Sequence, residues 1–392
     1  MANVNLSSAK AAKNDEFYTQ FSDIEKEMNA YLEFDPEVFR EKTLLLPCDD
    51  PEWSNFTRYF AQNFETLGLK KLISTSYAPT AEAHAMQPTL FESESPRFDA
   101  AKTRASGKIF TLSRDTTGRT HIDVNDLEWD YLQGDGDFRS DEIRRLRDEA
   151  DVIITNPPFS LFREFLAWIF EADKEFVIIG SMNAITYKEV FPLIMGDKMW
   201  LGNGFQAGNA YFHPLSDRRY AAGVYDVETQ LVKFRNVVWY TNLDHGRRHQ
   251  PLGLMTRADN IKFSKHREVR GEGYTKYDNY DAIEVPFTDA IPSDYPGMMG
   301  VPISFLSKYN PEQFEICGIT KTWNDDASLK TRVYPPQTQV SANGAESVVG
   351  KLNDGAAIKV KTPPAATYYK VKEAILVQVY ARILIKHRSP AK

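Results

Sequence analysis

The apolar run Val152-Ile153-Ile154-Thr155 stops on Asn156-Pro157-Pro158-Phe159, and no other feature of the 392-residue chain constrains its fold as tightly. A short run of apolar and β-branched residues without alternation marks a strand covered on both faces, as in a parallel sheet. Proline fixes φ and donates no hydrogen bond, so the strand must end here in a stiff turn. Neighbouring segments repeat the theme. Thr43–Leu46, Lys71–Thr75, Lys108–Leu112 and Phe176–Ile179 read as further strands. A helix is predicted from Ser22, with Ser22 and Glu25 as a capping box and Phe21, Ile24, Met28 and Tyr31 or Leu32 as its apolar stripe. Others are predicted over Trp53–Leu67, Ser140–Glu149 and Leu161–Glu171. Short apolar runs alternating with helices predict an α/β fold built on a doubly wound, mostly parallel sheet. Ligands in such sheets bind outside the carboxyl ends of the strands, where Asn156 and the segment Pro47-Cys48-Asp49-Asp50 both fall.

Past about Phe191 the alternation fades. Trp200–Tyr211 is rich in Gly and Asn, Asn236–Thr241 reads as a strand, Tyr274–Pro302 as loops, Ser341–Pro364 as a loop or linker, and Ala374–Lys386 as a closing strand. The length suggests two domains. No apolar stretch approaches the roughly 18 residues of a membrane span. Two cysteines, Cys48 and Cys317, are too few for a disulfide framework or a zinc site, which points to a reducing cytoplasm and no metal.

The net charge of −7 argues against a polyanionic partner, but its distribution argues the reverse. From His213 to Lys276 there are twelve Lys/Arg against seven Asp/Glu, a local balance of +5 that leaves −12 elsewhere. Arg247, Arg248, Arg257, Lys262, Lys265, Arg267 and Arg270 face only Asp259 and Glu268 within 245–270, interleaved with His245, His249, His266 and Phe263. Two readings stand for this segment: a solvated face, or a surface that tracks nucleic-acid phosphates.

The Asn-Pro-Pro-Phe turn suits methylation of a planar amine. The exocyclic nitrogen of adenine is a poor nucleophile because its lone pair is delocalised into the ring. The Asn156 side-chain oxygen and the Pro157 carbonyl, set against the two N–H bonds, draw that pair back onto nitrogen. Pro158 stiffens the turn, and Phe159 offers a flat face for an unstacked base. The plainer reading is a strand-ending turn. Pro47-Cys48 also matches the nucleophile dipeptide of cytosine-C5 methylation, but the accompanying Glu-Asn-Val is absent, so Cys48 is expected to be a packing residue. Cytosine-N4 methylation poses the same electronic problem as adenine, and Asn at the first position of the turn leans towards adenine.

Six segments together resemble the EcoRI methylase family of adenine-specific DNA methyltransferases: Asp15–Gln20, Leu44–Phe56, Gly134–Phe138, Asn156–Phe159, Gly300–Leu306 and Tyr380–Ile385. The resemblance implies a Rossmann-like catalytic domain, S-adenosylmethionine as methyl donor, double-stranded DNA as substrate and a target-recognition region after the catalytic turn. It places Phe17, Tyr18 and Thr19 at the donor's methionine end, although Phe17 and Tyr18 also suit a core. The segment Pro47, Cys48, Asp49 and Asp50 would line the donor, with Asp49 or Asp50 on its ammonium; Asp50-Pro51 equally suits a helix cap. Asp135 or Asp137 would accept from the donor's adenine amine, though Gly-Asp-Gly-Asp is also good turn chemistry. Two features depart from the usual pattern. No glycine follows the first strand, and Ser74-Thr75-Ser76-Tyr77 stands where an acid commonly binds the ribose. The domains expected are 1–245 for catalysis, 246–345 for target recognition, and 346–392 as a linker with a closing strand. A monomer is expected, with a cognate restriction endonuclease as partner if the chain is half of a restriction-modification pair. The alternatives are an RNA or protein-glutamine methyltransferase, or a cytosine-N4 enzyme, using the same turn.

Overall fold

Eight strands form the sheet that carries the Asn156–Phe159 turn: β1 (Thr43–Leu46), β2 (Lys71–Thr75), β3 (Lys108–Ser113), β4 (Trp129–Tyr131), β5 (Val152–Thr155), β6 (Glu175–Ser181), β7 (Trp200–Leu201) and β8 (Val237–Thr241). They lie in the order β4-β3-β2-β1-β5-β6-β8-β7. The computed structural model describes residues 17–78, 99–113, 129–205, 209–214, 224–226, 228–324 and 326–389. Asp15 and Glu16 lie outside the described residues, as do the side chains of Phe17 and Tyr18. The sheet is mixed. β2, β1, β5 and β6 are parallel neighbours, whereas β3, β4, β8 and β7 pair antiparallel. The expectation of mostly parallel pairing therefore holds only at the centre. Antiparallel neighbours need no crossover helix, and a short apolar run does not reveal the direction of its partner.

The central strands are largely apolar because both faces are covered. Every residue of β1 and β5 is buried. Leu44, Leu46, Ile154 and Ile179 join Phe56, Phe60 and Trp239 in one core cluster. Among the helices that attend the strands are α1 (Phe21–Phe34), α2 (Asn55–Gln62), α3 (Asp141–Glu149) and α4 (Phe162–Glu171). Ser54 caps α2, its side chain accepting from the Phe56 N–H at 3.1 Å, and Ser140 caps α3 through Ile143. The capping box expected at Ser22 is not formed. α1 begins one residue earlier, with Gln20 at the cap position and its backbone carbonyl accepting from Asp23 and Ile24. Asp50 caps a turn, accepting from the Glu52 N–H at 2.9 Å, and does not cap α2. No helix among the described residues is long and apolar enough to cross a membrane.

A second antiparallel sheet of this unit begins at Phe17–Thr19, which pairs with Asn209–Pro214; Leu231–Arg235 and Tyr225–Asp226 follow outward.

The chain divides into two compact units, Met1–Met182 with Met199–Gly246, and Asn183–Lys198 with Arg247–Lys392. The excursion Asn183–Lys198 left no mark in the sequence reading. The second unit is also more regular than the loops expected of it. One sheet orders Ala282–Glu284, Met298–Pro302, Arg382–His387 and Phe314–Ile319; another orders Glu346–Val349, Gln337–Val340, Tyr368–Val371, Ala374–Gln378 and Ala357–Val360. Much of the segment taken for a loop or linker is thus strand. The single closing strand expected over Ala374–Lys386 is two strands in different sheets.

Gly180 of β6 is a packing requirement, since a Cβ there would lie 2.4 Å from Phe162 Cε2 at the start of α4. Gly180→Ala should lower stability by about 1–3 kcal/mol through overpacking. An unchanged urea midpoint would show that Phe162 yields at no cost.

Candidate active site

The carboxyl ends of β1, β2 and β5 are tied together by one residue. Asp49, just beyond the end of β1, is 4% exposed. Its Oδ1 accepts from Ser54 Oγ and its Oδ2 from Thr155 Oγ1, both at 2.6 Å. Its backbone N–H donates to Thr75 O at 3.0 Å, and its carbonyl accepts from Ser74 Oγ at 2.6 Å. Ser74 Oγ also meets Thr57 Oγ1 of α2 at 2.7 Å, and Thr75 Oγ1 donates to Pro47 O at 3.3 Å. Burial pushes the Asp49 carboxyl up to about 7; the two hydroxyl bonds oppose the rise and the Asp50 charge adds to it.

Asn156 follows Thr155 directly. It is 7% exposed, Pro157 is buried, and Pro158 and Phe159 are half-buried. The Pro158 carbonyl accepts from the Leu161 N–H at 2.9 Å, closing the 3-10 turn Phe159–Leu161 that leads into α4. One side of Phe159 packs on the core cluster. The turn is therefore fixed from below by β5 and from behind by the helix entry.

Sequence reasoning missed a buried cation beside this site. The Lys108 side chain is 2% exposed, paired with Glu52, 3.8 Å from Asp50 Oδ2 and 4.7 Å from the Trp129 ring centroid. Buried charges persist when paired, and three acids in the loop after β1, Asp49, Asp50 and Glu52, were the available signal that a countercharge was required. Asp49 is engaged by hydroxyls and Asp50 by Lys108 and a turn. The structure thus gives both carboxylates partners within the scaffold.

The loop 134–138 lies against the end of β2. Ala78 N–H donates to Asp135 O at 2.7 Å, and Gly107 N–H to Gly134 O at 3.0 Å. Gly136, at φ +82°, leaves room for Ser76 O, which a Cβ would approach to 2.0 Å. Asp137 holds Arg139 through Nη2 at 2.6 Å and Nε at 2.9 Å, so Asp135 is the more open acceptor of the two. Cys48 is half-buried and in no disulfide. On the opposite approach, Asn55 Nδ2 of α2 donates to the Thr19 carbonyl at 2.8 Å. Thr19 Oγ1 and Gln20 Nε2 are buried and without a hydrogen-bond partner among the described residues. Gln20, which sequence reasoning passed over, joins Thr19 as a candidate contact.

The basic segment splits. Arg248 is 8% exposed and paired with Asp197, so it supports the second unit and is removed from any phosphate-facing set. Arg247, beside it, is half-buried. Lys265 is paired with Asp289 at 2.6 Å. Arg257 and Lys262 lie on the helix α5 (Arg257–Phe263), capped by Thr256, and they and Arg267 and Arg270 are exposed. Lys262 sits 4.8 Å over the ring of Phe263, itself 60% exposed. Among the described residues no group of acids, histidines and cysteines could hold a metal ion.

A family model described as "Adenine-specific methyltransferase EcoRI" matches residues 5–388. The chain belongs to this family. It is 40% identical over 319 residues to the Type II methyltransferase M.EcoRI of Escherichia coli, covering 81% of this chain and 89% of that protein. It is 31% identical over 331 residues to M.MpnI of Mycoplasma pneumoniae (83% of this chain, 89% of the relative). With M.MgeORF184P of Mycoplasma genitalium it shares 31% over 347 residues, 88% of this chain and 94% of the relative. No solved structure matches. The protein is thus an adenine-specific methyltransferase, and the cytosine and glutamine alternatives give way.

Asp49 gives this site a pH signature. A carboxyl whose folded pKa of about 7 exceeds an unfolded value near about 4 keeps its proton longer in the folded chain. Its contribution to stability is full at low pH and is lost as pH rises through about 7. The stability of the wild type relative to Asp49→Asn should therefore fall between pH of about 4 and about 7 and level off above. A difference that stays flat across denaturation curves in that window would contradict the burial described.

Proposed function

We propose that the protein transfers a methyl group from S-adenosylmethionine to the N6 amine of an adenine flipped out of double-stranded DNA. The observation that carries this is the intact Asn156–Phe159 turn, held at the end of a buried parallel strand beside Asp49. Within this reading the first unit is a Rossmann-like, doubly wound methyltransferase domain, and the central strands β2, β1, β5 and β6 carry the site at their carboxyl ends.

The residues suit such a donor. Thr19 Oγ1 and Gln20 Nε2, both buried, offer an acceptor and donors to its methionine end. Asp135, on the loop against Ser76, accepts from its adenine amine, and Pro47, Cys48 and the backbone of Asp49 and Asp50 line its middle. When bound, S-adenosylmethionine supplies a methyl group on a positively charged sulfur. The protein does the rest by position. Phe159 stacks the extruded base, whose extrusion costs a few kcal/mol. Asn156 Oδ1 and the Pro157 carbonyl accept the two amine hydrogens, which turns the nitrogen lone pair towards the methyl group. Catalysis then rests on alignment and preorganised dipoles, with no covalent enzyme intermediate. Arg257, Lys262, Arg267 and Arg270, on and after α5, track phosphates in the recognition unit.

Asn156→Ala should leave donor affinity within about twofold while cutting single-turnover methyl transfer by at least about 100-fold, because the missing acceptor acts chiefly on the reacting amine. Near-normal transfer would remove Asn156 from the chemistry.

The basic set has its own test. Replacing Arg257, Lys262, Arg267 and Arg270 by Ala should weaken binding equally on cognate and random duplexes. The slope of log affinity against log salt should fall by about 0.9 for each phosphate that is no longer neutralised. Unchanged affinity and slope would make the segment a solvated face.

A further inference from the structure

We propose that Asp49 and Thr155 form a positioning link that couples the donor-binding loop to the catalytic turn, an assignment that rests on the reading of those two segments given above. The hydrogen bonds make a continuous path. Phe56 N–H donates to Ser54 Oγ, Ser54 Oγ donates to Asp49 Oδ1, and Thr155 Oγ1 donates to Asp49 Oδ2. Every side chain on it is buried: Ser54 is 1% exposed, Asp49 4% and Thr155 0%. Thr155 is the last residue of β5 and the covalent neighbour of Asn156, so its hydroxyl gives the donor loop a direct hold on the start of the turn. Asp49 is anchored in turn through its backbone, to Thr75 and Ser74 at the end of β2. A loop shift that followed donor binding would reach Asn156 through this hydrogen bond of 2.6 Å.

The link touches neither the base nor the methyl group, so its removal should appear in the chemical step and not in donor binding. A misplacement of about 1 Å at a reacting centre can cost on the order of 100-fold in rate. Thr155→Val removes the hydroxyl and keeps the shape. Its single-turnover rate of methyl transfer to a duplex with a cognate site should fall by roughly 10- to 100-fold, while the Kd for S-adenosylmethionine stays within about twofold. Thr155→Ser, which restores the hydroxyl, should recover most of the rate.

Wild-type rate in Thr155→Val would overturn the link. So would an equal drop in Thr155→Ser, since the hydroxyl would then not be what matters. A matched fall in donor affinity and rate would also overturn it, by making Thr155 part of the donor site. If Thr155→Val does not fold, Asp49→Asn serves instead: Asn presents one acceptor and one NH2, so one of the two hydroxyls is left without its acceptor. An unchanged rate in that variant would equally sink the inference. Wild-type enzyme run alongside separates the link from the function. If it transfers no methyl group to the duplex, the proposed function fails, whereas a wild type that works beside an unaffected Thr155→Val leaves that function standing and removes only the link.

Discussion

A carboxyl group taken out of water holds the central strand ends of the first unit together. Asp49 reaches β5 through Thr155, the start of α2 through Ser54, and β2 through its own backbone. A buried acid is costly unless it is hydrogen-bonded, and here its two hydroxyl partners, Ser54 and Thr155, come from elements that the chain must bring together. The need to satisfy that one group therefore fixes the register in which the strand ends meet. The turn bearing Asn156 inherits its position from this arrangement.

Such rigidity suits a reaction that demands little covalent chemistry. An aromatic amine is activated by where its hydrogens point, and the acceptors must already be in place when the base arrives. The two prolines, the 3-10 turn closed by Pro158 and Leu161, and the close packing of Gly180 on Phe162 all restrain the same short segment. Lys108 plays a comparable part on the far side of β1, where it neutralises Glu52 and Asp50 in the interior. In the other unit the exposed cations on and around α5 contrast with the buried Arg248.

How far the sequence disclosed all this depends on the range of the forces involved. β1, β5 and β6 were legible because strands in the middle of a sheet leave nearly continuous apolar runs, β3 because its buried residues alternate, and the Asn-Pro-Pro-Phe turn because proline acts locally. Asp49 and Asn156 fall at the ends of β1 and β5, where the strand pattern put them, but the part played by Asp49 was not visible, since its partners lie 5 and 106 positions away. Arg248 looked like its neighbours until Asp197, 51 residues earlier, was found against it. The hairpin of Gln337–Val340 with Glu346–Val349 did carry a signal, the Asn343-Gly344 turn, with Gly344 at φ +83°. That dipeptide favours tight hairpins, yet the Gly, Ala and Pro content around it suggested a linker. Charge runs and loop-like composition are averages, and averages do not show which member is paired.

The most direct test of the proposed chemistry is the identity of the modified nucleoside. Duplex DNA incubated with the enzyme and methyl-labelled S-adenosylmethionine would be digested to nucleosides and resolved by mass spectrometry. The label should appear in N6-methyladenine alone. Label in N4-methylcytosine or 5-methylcytosine, or DNA left unlabelled while RNA takes up the methyl group, would contradict it.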